Sequence, residues 1–137
     1  MPLTPAPAPR PHDTARSSAA AALNAFRVTL DGVPEPRGQG EWRWRVRRQL
    51  AALRDALADE SGRVADDWLA PRSEALSREA GALLARVRTL GARVLAEDDV
   101  LPVRSDLRRL AGDVAHHLQR RSDLTWEQVE QEYGGSE

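Results

Sequence analysis

The feature that most constrains this chain is an apolar stripe within Pro71–Leu101, PRSEALSREAGALLARVRTLGARVLAEDDVL. Its members are Leu76, Ala80, Leu83, Val87, Leu90, Val94 and Leu101, at steps of four, three, four, three, four and seven. Steps of three and four return a side chain to the same side of an α-helix, so the spacing predicts one long helix with one buried face. At about 1.5 Å of rise per residue it is roughly 40 Å long, and its neighbours must pack along it. Its apolar arc is wider than a single seam, because it includes Leu84, Gly91 and Leu95, and Ala82, Ala85, Ala92 and Ala96 leave a small-residue side away from the stripe. Alanine is the best helix former, and small side chains also permit close approach of another helix. Homo-oligomerisation is therefore expected.

Shorter stripes flank this one. In Glu41–Leu57 the residues Trp42, Val46, Leu50, Leu53 and Leu57 mark a helix, with Glu41 in the first turn where its charge suits the macrodipole. Trp44 is out of phase; a strand over Trp42–Val46, paired with Phe26–Leu30, is the alternative that would accommodate it. Asp59–Gly62 reads as a breaker with Gly62 as a left-handed cap, although Val64 and Trp68 stay in phase and allow one kinked helix as far as Ala70. After the central helix, Asp99 can cap a third, with Pro102 in its first turn and Val103, Leu107, Leu110, Val114 and Leu118 on its buried side. Thr125 and Gln128 fit a capping box, and Leu124 with Val129 a hydrophobic staple, for a short last helix stopped by Gly134-Gly135.

The expected fold is all-α: a small antiparallel three-helix bundle over 41–60, 71–98 and 100–121, with a short C-terminal helix at 125–133. Residues 1–40 are set apart as a disordered or loosely ordered arm and linker. Residues 1–13, MPLTPAPAPRPHD, alternate with proline and suit polyproline II or disorder. Thr14–Leu30 is ambiguous, since Ala19–Phe26 suits a helix whereas Phe26, Val28 and Leu30 alternate as a strand does. Asp31-Gly32 marks a turn and Val33–Gly40 a linker.

Composition excludes more than it identifies. The 137 residues hold one domain. Every basic residue is arginine, and lysine and isoleucine are absent, the bias of a GC-rich bacterial genome. Arginine is consequently a poor marker of phosphate recognition here. Without cysteine there is no disulfide framework, thiol nucleophile or zinc–thiolate site. No run reaches transmembrane length and no apolar h-region follows the first residues, so a cytoplasmic location is expected.

Catalytic motifs are lacking: no serine sits in a nucleophile elbow and no glycine-rich phosphate loop follows a strand. The paired carboxylates Asp66-Asp67 and Asp98-Asp99 fall at helix boundaries, where capping accounts for them. Asp113 precedes His116 and His117 by three and four residues, a spacing that can serve a metal-dependent enzyme or accessory subunit. Di-metal bundles, however, use two such pairs with further inward acids. His116 projects away from the apolar stripe and His117 to its border. No cofactor is expected.

Two segments suit binding. Trp42–Arg54 interleaves Trp42 and Trp44 with Arg43, Arg45, Arg47, Arg48 and Arg54 and contains no acid. Such a mixture can stack on bases, neutralise phosphates or lie on an anionic membrane surface. The following Asp55–Asp67 is acidic and offers a charge-balancing neighbour. Ser122–Glu137 carries five acids and no base, with Trp126, Val129 and Tyr133 at helical spacing. An acidic amphipathic helix of this kind either docks in a partner's groove or folds back and buries Trp126 on its own bundle. The leading expectation is a non-catalytic cytoplasmic adaptor or regulator that self-associates and docks a protein partner. Its contacts are Leu124, Trp126, Val129 and Tyr133, with Glu127, Glu130 and Glu132 steering by charge. Nucleic-acid association through 42–54 is the alternative.

Overall fold

Among its described residues, a computed structural model of the chain contains four α-helices: α1 Pro11–Asp31, α2 Gln39–Val64, α3 Ala70–Ala96 and α4 Val100–Gly134. It describes residues 11–32, 34–64 and 70–134, with side chains over 18–32, 34–59 and 71–127. A single 3-10 turn, Pro36–Gly38, leads into α2, and no strand occurs among the described residues.

α1 corrects the expectation of a loose arm. Ala19, Leu23, Phe26 and Leu30 recur at steps of four, three and four and are all buried, so α1 is a helix that contributes to the core rather than part of a loose arm. Phe26 is 0 % exposed, while Val28, its partner in the strand-like alternation, is 65 % exposed. The proline-rich residues 1–10 lie outside the described residues.

Each helix packs on its neighbours in sequence, and α1 closes the ring on α4. Pairings along α3 and α4 run in opposite order, Arg93 with Asp106, Arg86 with Asp113, Glu79 with Arg120 and Arg72 with Glu127. Arg43 of α2 reaches the far end of α3, and Arg104 near the start of α4 reaches the end of α1. The chain is thus an up-and-down four-helix bundle, in which short connections force antiparallel neighbours. The fourth helix completes what three could not. Leu23, Phe26 and Leu30 join the stripes of α2, α3 and α4 in one core.

The boundaries differ from expectation at three places. α3 stops at Ala96, so Leu101, read as the last of its buried stripe, belongs to α4 and is exposed. α2 runs through Gly62 to Val64 instead of stopping near Asp59; residues 65–69, which include Trp68, lie outside the described residues. The predicted final helix is not separate, because α4 is continuous from Val100 to Gly134. Thr125 donates from Oγ1 to the Arg121 carbonyl at 3.0 Å, the bond of a residue inside a helix rather than of a cap. At the other end the expected cap is present: Asp99 Oδ1 accepts the Leu101 amide at 3.1 Å, with Pro102 in the first turn.

Candidate interaction surfaces

The C-terminal end of α4 is held from one side. Leu124 is buried, and Glu127 pairs with Arg72 at the start of α3. Trp126 points the other way and is 63 % exposed, so it is not folded back onto the bundle. Val129, Glu130, Glu132 and Tyr133 lie on the helical backbone of α4; their side chains lie outside the described residues. At about 100° per residue, positions two, five and nine after Leu124 fall on the helix side opposite to it. Positions 126, 129 and 133 therefore share the side turned away from the core. For the same reason Leu124 and position 129 lie on opposite sides, and the staple expected between them does not fit.

The arginine–tryptophan segment does not act as one surface. Trp42 sits in the core, its indole Nε1 donating to the Thr29 carbonyl at 3.4 Å. Arg43 donates to the carbonyls of Val94 at 2.5 Å and Asp98 at 3.1 Å, satisfying the open C-terminal end of α3. Arg45 pairs with Glu41 at 3.1 Å and Arg54 with Asp55 at 3.4 Å. That leaves Trp44, 61 % exposed, with the Arg48 guanidinium 4.7 Å from its ring centroid. Arg47 is exposed and has no hydrogen-bond or ion-pair partner among the described residues.

Arg47 and Arg54 instead border a groove of about 600 Å³ between α2 and α3. Leu84, Val87 and Gly91 line it from α3, and Arg88 stands on its α3 rim, also without a partner among the described residues. The importance of Arg88 was not legible from its immediate sequence context. The relevant signal is its place in the row Leu84, Arg88, Gly91, Leu95, which shares the side of α3 facing α2.

The acid–histidine triplet of α4 is drawn apart. Asp113 accepts from Arg86 Nη1 at 2.7 Å, and His116 is exposed. His117 is buried, not at a border: its ring is 1 % exposed, and Nδ1 donates to Glu79 Oε1 at 2.7 Å. Arg120 Nη2 donates to the same oxygen at 2.5 Å. Burial raises the Glu79 pKa, but the hydrogen bonds and charges of Arg120 and His117 outweigh it and hold the carboxyl below its ordinary value. Arg93, donating to Glu97 at 2.6 Å and Asp106 at 2.7 Å, is held more firmly protonated by those bonds. No three acid or histidine side chains converge as a metal site among the described residues. No helix among them is long and apolar enough to cross a membrane.

Comparison with protein-family models, with curated proteins and with solved structures finds no match for this chain.

Proposed function

We propose that the protein is a non-catalytic interaction module, a small adaptor or regulator acting in the cytoplasm, that docks a protein partner through the C-terminal end of α4. The observation that supports it most directly is Trp126, whose indole stands 63 % exposed on a helix anchored through Leu124. Tryptophan presents a large, rigid contact area and is enriched among residues that dominate binding energy. The acids around it, Asp123, Glu130 and Glu132, supply steering toward a basic surface, while Glu127 is engaged by Arg72. An anchored helix also loses less conformational freedom on docking than a free peptide does.

The test is affinity capture with the full chain and a Trp126→Ala variant. The wild type should retain a partner that the variant loses, with unchanged circular dichroism. Recovery of the same proteins by both would count against this reading. The Arg48–Trp44 stack supports a second reading, contact with single-stranded nucleic acid. That reading expects a mobility shift that weakens steeply with salt, and it loses its basis if no shift occurs at low salt.

A further inference from the structure

The groove between α2 and α3 has the properties that the acidic end of α4 lacks. Its walls are apolar, with Leu50, Leu84 and Val87, and Ala51, Ala58, Gly91 and Ala92 keep it open. A Cβ on Gly91 would come 3.9 Å from Leu50 Cδ1, ordinary contact distance, so the bundle's own packing does not require glycine there. Among the described residues the charged side chains that line it are all basic: Arg47, Arg54 and Arg88. Two of these have no partner among the described residues, and the third touches only the exposed Asp55 beside it. Beyond its end stand two exposed apolar side chains, Trp44 on α2 and Leu95 on α3.

We infer that this groove receives the acidic C-terminal end of α4 from a second copy of the chain. The inference rests on the reading of that helix end as a docking element and names its partner. Three observations point to this occupant. The rim is basic, whereas Ser122–Glu137 has five acids and no base. The lengths match: from Leu84 to Leu95 the groove side of α3 rises about 16 Å, and Thr125–Gly134 rises about 14 Å. Finally, Trp126 lies on the side of α4 away from its own core, so it can enter a neighbour's groove while Leu124 and Glu127 keep their places. Within one chain the helix end cannot reach the groove, because it packs beside the start of α3 through Arg72, whereas the groove lies on the α2 side of that helix. A helix seated between α2 and α3 would exchange exposed apolar surface for contact, the favourable term in association, and would bring its acids to the rim arginines.

Two full-length variants separate the partners of this contact. Trp126→Ala removes the anchor and leaves the groove, while Arg47→Glu with Arg88→Glu reverses the rim and leaves the anchor. All three positions are exposed, so circular dichroism should show wild-type helicity for both. In sedimentation equilibrium the wild type is expected to self-associate, more weakly at high salt. Each variant alone should associate at least about tenfold more weakly, as loss of a central anchor does. An equimolar mixture of the two should regain association, since one supplies the anchor and the other the groove. A labelled peptide of residues 122–137 should bind the Trp126→Ala chain saturably, and a scrambled peptide should not. The inference is overturned by a wild type that stays monomeric, by either variant assembling as the wild type does, by a mixture that fails to associate, or by equal binding of the scrambled peptide. A monomeric wild type, or a rim reversal without effect, would leave intact the loss of a captured partner by Trp126→Ala, so failure here is distinguishable from failure of the docking reading itself.

Discussion

Arg104, in the second turn of α4, donates from Nε to the carbonyl oxygen of Leu30 at 2.8 Å, and its Nη2 reaches the Asp31 carbonyl at 3.3 Å. These are carbonyls at the end of α1 that have no acceptor role inside the helix. One side chain thereby joins the first helix to the last and closes the ring of four. Arg104→Ala should cost about 1.5–3 kcal/mol, the range for hydrogen bonds that involve a charged group. Urea denaturation should show a lower midpoint with an unchanged slope, and amide exchange should show the last turn of α1 opening more readily.

Phe26 provides a stronger test of whether α1 belongs to the core. Its ring is 0 % exposed and lies among the stripes of the other helices. Phe26→Ala should destabilise the chain by about 3–5 kcal/mol, transfer loss and cavity together. A loosely attached α1 would give almost no change in the urea midpoint.

The two neighbouring tryptophans should behave oppositely. Trp42 is buried with its indole bonded to Thr29, and Trp42→Ala should cost about 3–5 kcal/mol. Trp44 is mostly exposed, and Trp44→Ala should fall within about 0.5 kcal/mol of the wild type. Thermal melts of the two variants, side by side, check both.

Acid should weaken the bundle partly through Glu79. Its carboxyl pKa lies below the 4.5 of an unperturbed glutamate, so the folded chain takes up its proton less readily than the unfolded chain. Stability from this group is therefore complete above pH 4.5 and is lost as pH falls through the lowered folded value. Urea midpoints measured down that range should decline less steeply for Glu79→Gln than for the wild type. Equal slopes would remove Glu79 from the account.

The three stripes of α2, α3 and α4 were legible because each has an uninterrupted helical period, and Trp42, Val46, Leu83, Val94, Val103 and Leu110 are buried as that period requires. The cap at Asp99 was legible for a local reason, since a carboxylate one residue before a helix has an amide within reach. α1 was harder to see. Its buried set, Ala19, Leu23, Phe26 and Leu30, is helical in period, but Phe26, Val28 and Leu30 also fit a strand, and flanking prolines and glycines suggested a linker. Only the open side of the other three helices decides between those periods. Likewise Gly62 looks like a stop but does not terminate α2, since glycine costs only roughly 1 kcal/mol inside a helix.

The candidate surfaces divide in the same way. The acidity of the C-terminal segment and the helical recurrence of Trp126, Val129 and Tyr133 are properties of the sequence alone. So are the all-helical class and the long central helix, because both follow from periods set within a single segment. Which arginines remain free for a ligand is not such a property. Arg43 is taken by carbonyls more than fifty residues away, His117 is buried against Glu79, and Arg47 meets Arg88 across a groove only because α2 and α3 lie side by side. Those outcomes depend on which helix faces meet. A local period specifies which side of a helix is apolar, whereas the neighbour that covers it is chosen by the packing of all four helices at once.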